Sequence, residues 1–254
     1  MKALRTNIRL IPLVLLLSAS YLGPTAYAQQ PAPATTAEQE FLDSIRKGNA
    51  ARVSELLKQN PALIKATTKN GTTAVLLALI TGHDEIAESL VATGIELNIF
   101  EAAAVGRLDR VQELLNKSPE LIKAYSPDGW TALHLSLDHL DVVDLLLGRG
   151  ADVNAVTKNA FSATPLQGAA MFQTIDLAKV LIKHGANVNC RAAAGVTPLH
   201  EVSKNGQIEF AKLLLDNGAN INAKDDKGKT PLTIALENKQ TEMATFLRSR
   251  NATQ

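Results

Sequence analysis

The sequence predicts an all-α solenoid of about seven stacked helix–turn–helix units with protruding loops. Three observations carry this expectation. First, Thr131, Thr164, Thr197 and Thr230 follow one another at intervals of 33 residues, and a fixed period of that size marks a stack of like units, not one globular core. Second, the clearest unit opens Gly195-Val196-Thr197-Pro198-Leu199-His200. Thr197 suits a helix N-cap, because its hydroxyl can accept from an orphan N–H of the first turn, and Pro198 suits the first helical position, where a missing N–H is no loss. Third, Ile208, Ala211, Leu214 and Leu215 recur at helical spacing before Gly218, so a second helix from about Gln207 to Asn217 buries one face and closes at a glycine.

Related strings recur in phase. Trp130-Thr131-Ala132-Leu133-His134 leads to Gly150-Ala151-Asp152-Val153-Asn154-Ala155, and Thr164-Pro165-Leu166-Gln167 leads to Gly185-Ala186-Asn187-Val188-Asn189-Cys190. Thr230-Pro231-Leu232-Thr233 opens another copy. A Thr-Pro-Leu-His opening, a helix pair and a Gly-Ala-Asn-Ile-Asn-Ala exit resemble the ankyrin repeat. The resemblance covers nearly everything from about residue 37 to 250. It implies an array over 37–252, with units at about 37–66, 67–98, 99–123, 124–154, 155–189, 190–222 and 223–250.

The first 28 residues stand apart. Lys2, Arg5 and Arg9 precede an apolar run from Leu10 to Ala19, and Ala26-Tyr27-Ala28 is a small-x-small string. The run is too short to span a bilayer and reads as the core of a secretory signal peptide cleaved after Ala28. The expected location is the periplasm or outside the cell, and the overall resemblance suggests a bacterial origin. No cysteine follows the run, which argues against a lipid anchor, and the mature chain is expected to have no membrane attachment. Residues 29–36, Gln-Gln-Pro-Ala-Pro-Ala-Thr-Thr, read as a disordered linker.

The units then follow in order. The first places Phe41, Leu42 and Ile45 inward, turns at Gly48 and continues with Val53, Leu56 and Leu57. It lacks a Thr-Pro opening, as a capping unit does. The second enters at Gly71-Thr72-Thr73-Ala74 and leaves through Gly94-Ile95-Glu96-Leu97-Asn98. The third begins directly at Ile99, so its loop is nearly absent and the joint at Asn98–Ile99 is expected to be the weakest interface. The string from Arg52 to Ala66 recurs from Arg110 to Ala124, which reads as a copied pair of units. The fourth lacks two residues at its helix–helix turn near Asp138-His139. The fifth is two residues longer between Val156 and Ala163, lacks the turn glycine and carries Phe161. The sixth is regular. The seventh ends in polar Arg248-Ser249-Arg250-Asn251, which suits an end meeting water.

Composition narrows the function. Removing the three basic residues of the first segment from a chain of 26 basic and 25 acidic residues leaves a net charge of −2. That balance carries no footprint for nucleic acid. Cys190 is the only cysteine, so no intramolecular disulfide can form. It holds the position of Ala155 and Ala223 and reads as a small packed side chain.

No phosphate loop or nucleophile elbow is present, and no catalytic residue, cofactor or metal is expected. His134 and Asp138 are four apart and, with His139, Asp141 and Asp144, could hold a metal. The favoured reading is different. The resemblance makes His134 and His200 structural, and Asp141 sits in a first helical turn, where the helix dipole favours an acid.

The resemblance implies a protein partner held on the concave side, formed by loop tips and first helices. By repeat phase that side carries Tyr125, Pro127, Asp128 and Trp130, then Phe161, Met171 and Phe172, then Arg191, Val196 and Lys204. Tyr, Trp and Arg are common binding anchors, although Trp130 and Phe161 could also pack beneath adjacent loops. The expectation is a monomeric, exported, non-catalytic scaffold for another protein. A secreted effector acting on host proteins, or an inhibitor or immunity partner of an exported enzyme, remains open at this point.

Overall fold

Each threonine opening becomes a helix N-terminus. The structure is a computed structural model that describes residues 37–136 and 139–254. The signal segment, the linker and the turn residue Asp138 lie outside the described residues. Among the described residues, fourteen α-helices form seven consecutive pairs: α1 Ala37–Arg46 and α2 Ala50–Gln59, α3 Ala74–Ile80 and α4 Asp84–Ala92, α5 Ile99–Ala104 and α6 Leu108–Lys117. Next come α7 Ala132–Leu135 and α8 Leu140–Gly148, α9 Pro165–Phe172 and α10 Ile175–Lys183, α11 Pro198–Lys204 and α12 Ile208–Asp216, and α13 Pro231–Glu237 and α14 Thr241–Ser249. Among the described residues there is no strand, only a single bridge between Thr67 and Thr73. The fold is thus all-helical, in keeping with a repeat solenoid.

The chain divides into two compact units, one ending at Glu101 and the other running from Ala102 to Gln254. In the first, α1 packs on α2 and α3, and α2 packs on α4. Phe41, Ile45, Val53, Ala74, Val75 and Leu90 make its core. In the second, α7, α9, α11 and α13 pack in succession, while α6 meets α8 and α12 meets α14. Two leucine rows fill the space between. Leu133, Leu166, Leu199 and Leu232 follow each threonine cap, and Leu146, Leu181, Leu214 and Leu247 lie on the second helices. All eight are buried, and each contributes roughly 1.5–3 kcal/mol of hydrophobic burial. A helix pair this thin cannot bury both faces alone, so the rows are completed only by stacking.

Local chemistry sets the boundaries. The hydroxyls of Thr73, Thr131, Thr164 and Thr230 accept from the amide three residues on. Asn98 does something the repeat phase did not anticipate. Its side chain accepts from the amides of Phe100 and Glu101, and Glu101 Oε2 accepts from the Asn98 amide. This reciprocal capping starts α5 with no loop at all. The copied strings Pro61–Lys65 and Pro119–Lys123 both fold as 3₁₀ turns with proline at their start.

Two further ties connect neighbouring units. One is a clasp onto the end of the preceding first helix. His83 Nε2 donates to the Arg46 carbonyl, His139 Nε2 to that of Ala104 and Gln240 Nε2 to that of Lys204. The other is an asparagine ladder at the exits. Asn154 Nδ2 donates to the Gly185 carbonyl while its Oδ1 accepts from the Asn187 amide. Asn189 repeats both bonds on Gly218 and Asn220, and Asn222 accepts from the Thr253 amide.

The fifth loop is the irregular one. Gly129, Gly195 and Gly228 take positive φ at their tips, and Ser162 holds the same phase with φ 46°. A side chain in that region is strained by about 1–2 kcal/mol. Ser162→Gly is therefore expected to stabilise the protein by roughly 0.5 kcal/mol, after the greater unfolded-state freedom of glycine is set against the relieved strain. A higher urea midpoint at unchanged slope would show it, and a lower midpoint would contradict it.

Candidate functional site

The two histidines most able to do chemistry are occupied. His134 Nε2 lies 3.1 Å from the Ala163 carbonyl, and its Nδ1 lies 2.7 Å from Thr131 Oγ1. A carbonyl only accepts, so Nε2 carries the hydrogen and Nδ1 accepts from the hydroxyl. His200 repeats this with the Lys229 carbonyl at 3.0 Å and Thr197 Oγ1 at 2.8 Å. Gln167 holds the same place between them. Its Nε2 donates to the Val196 carbonyl at 2.9 Å and its Oε1 accepts from the Thr164 amide. Each of these three side chains therefore bolts the start of one first helix to the loop of the next unit.

Burial lowers the pKa of His134 to about 4 and also lowers that of His200, because desolvation disfavours the imidazolium. Both rings are neutral near pH 7 and have both nitrogens engaged. His139 is held by the Ala104 carbonyl, and no group of three potential ligands comes together among the described residues. Cys190 is buried with its thiol 3.2 Å from Thr164 Oγ1, and burial raises its pKa. It stays a thiol and is a poor nucleophile.

The loop tips hold the other cluster. Each tip closes on itself through one amide–carbonyl bond: Ser126 to Trp130, Thr157 to Ala163, Ala192 to Val196, Asp225 to Lys229. The fifth closes two residues wider than the others, which locates the extra length between Lys158 and Ser162. Successive tips are tied backbone to backbone: Lys158 N to Gly129 O, Ala193 N to Phe161 O, and Asp226 N to Ala194 O. On this frame Trp130 stacks obliquely on Phe161, with centroids 5.8 Å apart, and meets the His134 ring edge-on at 6.0 Å. The Lys158 ammonium sits 4.0 Å above the Tyr125 ring, a cation–π contact between two tips.

The predicted site residues fall out as follows. Tyr125, Trp130 and Phe161 are half-buried and lie in this cluster. Asp128 accepts from Ser126 Oγ, and its backbone carbonyl accepts from Asn159. Arg191 is exposed and donates to the Lys224 carbonyl and to Asp226 Oδ1. Val196 is half-buried at the sixth tip. Met171 and Phe172 are half-buried at the end of α9, and Lys204 is half-buried at the end of α11, one period after Met171. Glu201, one helical turn before Lys204, is also half-buried, and its burial raises the carboxyl pKa against the pull of Lys204.

Sequence reasoning missed Lys158 and Val156. Val156 is 47% exposed, more than any other large apolar side chain described. The irregular fifth loop, to which Lys158 belongs, was the signal that could have found that residue.

A family model described as ankyrin repeats in three copies matches residues 99–157, 138–225 and 166–254. The chain is 35% identical over 150 residues to the ankyrin repeat and SAM domain-containing protein 6 of Mus musculus, covering 58% of this chain and 14% of that protein. It is 30% identical over 160 residues to the ankyrin repeat protein nuc-2 of Neurospora crassa, covering 58% and 15%. It is 35% identical over 149 residues to the putative ankyrin repeat protein FPV031 of Fowlpox virus, covering 53% and 40%. The chain therefore spans less than half the length of each of these relatives.

Proposed function

Because the chain belongs to the ankyrin repeat family, whose arrays are protein-interaction scaffolds, we propose that it is a non-catalytic platform that grips another protein through the loop tips and first helices of its fourth to sixth units. One observation carries this reading. Trp130 and Phe161 form a half-buried aromatic ledge, with Tyr125 on the same tips, on loops that backbone bonds hold in place. Aromatic side chains on a preorganised frame offer large contact area with little ordering left to do. The non-catalytic reading is supported by the engagement of both buried histidines in the stacking itself.

We further infer export, with cleavage after Ala28 and action in the periplasm or outside the cell as a monomer. The basic start, short apolar run and Ala-Tyr-Ala string support this. Mass spectrometry of the mature chain should give Gln29 as its first residue.

The docking reading is tested by partner capture from the compartment where the chain accumulates. A Trp130→Ala, Phe161→Ala double variant should lose captured partner by tenfold or more, since central aromatic anchors are each worth about 2 kcal/mol or more. The two rings also support one another, so the milder Trp130→Phe variant and a melting curve accompany it. Undiminished capture by a folded double variant would rule this face out.

A further inference from the structure

The tip-closing bonds define a register along the second compact unit. The residue just before each closing amide is Tyr125 in the fourth unit, Val156 in the fifth, Arg191 in the sixth and Lys224 in the seventh. Because the closing bond is equivalent in all four tips, these positions form one row. Lys158 joins the row at its first place, since its ammonium rests on the Tyr125 ring. The row therefore reads cation on aromatic, exposed aliphatic, cation, cation. Val156, Lys158, Arg191 and Lys224 are all exposed.

Both carboxylates of the seventh tip are engaged within the tips. Asp225 Oδ1 accepts from the amides of Lys227 and Lys229 and is spent on its own turn. Asp226 pairs with Arg191 at 2.9 Å, but the two side chains are 62% and 49% exposed, and exposed pairs of this kind contribute little and exchange readily. No carboxylate of the described residues pairs with Lys158 or Lys224.

We propose that this row docks an acidic, extended segment of the partner protein. The proposal rests on the docking reading above and adds the chemistry of what is docked. Packed helices of successive units are about 10 Å apart, and an extended peptide advances about 3.3 Å per residue. Every third residue of such a peptide meets the next tip. The complementary order is acid, apolar, acid, acid at three-residue intervals, with the apolar residue over Val156. Charge of this kind sets register and encounter rate as much as affinity.

The test uses the full chain and a defined probe: a fluorescein-labelled peptide with glutamate, leucine, glutamate and glutamate at every third position and serine or threonine between. Fluorescence anisotropy should show binding that an Arg191→Glu, Lys224→Glu variant weakens by about tenfold or more. Raising salt from about 50 to about 300 mM should weaken it as well, because exposed charges are screened over a Debye length. Both substitutions are at exposed positions, and a melting curve checks that the variant is folded.

The idea is overturned if the probe does not bind, if a lysine-for-glutamate peptide binds equally, if the variant binds unchanged, or if a single-stranded oligonucleotide binds in preference. Partner capture separates this from the broader reading. Capture lost in Trp130→Ala, Phe161→Ala but kept in Arg191→Glu, Lys224→Glu sinks the acidic segment alone. Capture kept in both sinks the docking face itself.

Discussion

Gly129→Ala is expected to lower the melting temperature by roughly 6–12 °C, equivalent to about 3 kcal/mol for an array of this size. Gly129 has φ 87°, and a Cβ there would stand 2.7 Å from the carbonyl carbon of Lys158 and 2.8 Å from its oxygen. Those atoms are backbone and cannot swing aside as a side-chain end can. The alanine must carry the conformational strain, about 1 kcal/mol, and also push the fifth tip away. That separation breaks the bond from Lys158 N to Gly129 O and the bond from Asn159 Nδ2 to the Asp128 carbonyl, each worth about 1 kcal/mol.

Gly185 supplies the control. Its φ is 88°, yet a Cβ there meets nothing within 4 Å. Gly185→Ala should therefore show the strain alone, about a third of the effect. Thermal melting of the two variants side by side would expose an error: equal losses would mean that the close approach of the tips contributes nothing.

The second large effect is a loss of stability in mild acid. The folded-state pKa of His134 is about 4 and that of His200 is also lowered, against about 6.5 for an unfolded chain. A depressed histidine stabilises the fold while both states are neutral. As pH falls below 6.5 the unfolded chain binds the proton first, so stability is lost between about 6.5 and 4 and no further below. From His134 alone the loss is roughly 3 kcal/mol.

Gln167 shows how to remove the titration and keep the bolt, since it makes the equivalent inter-unit bond without a proton to gain. A His134→Gln, His200→Gln variant should keep most of its stability at pH 7.5 and lose much less than the parent at pH 4.5. Glu201, whose pKa is raised by burial, acts with the opposite sign but is common to both proteins. Urea midpoints at the two pH values decide the matter, and parallel losses in parent and variant would refute the assignment.

What could be read from the letters alone was whatever repeats or acts within one turn. The threonine caps and the apolar spacing of the second helices follow from spacing and short-range bonding, and the structural use of His134 and His200 was implied by the family resemblance. Asn98 was legible in only one of its two roles. Asn98-x-x-Glu101 has the form of a capping box, and the repeat phase had already assigned Asn98 as an exit residue. The same letter fits both patterns, and only the absence of a following loop decides between them.

Other features lay beyond reach for a plain reason. The contact of His139 with Ala104 spans 35 residues and depends on how two units stack. The placement of Lys158 over Tyr125 depends on how two tips meet, which no periodic argument can position. At the site, the aromatics were nominated by phase. Their mutual stacking and the cations around them emerged only with the backbone.

One tie between each pair of consecutive tips from the fourth to the seventh runs from amide to carbonyl and uses no side chain. Under the proposed docking, the side chains offered to a partner are thereby largely separate from the bonds that maintain the architecture. At the exposed positions Val156 and Lys224 a lineage can try new side chains one at a time with little effect on folding. Under that proposal such a surface can change its allegiance by single substitutions, and descendants of one ancestral array can diverge in what they hold while remaining superimposable in how they are built.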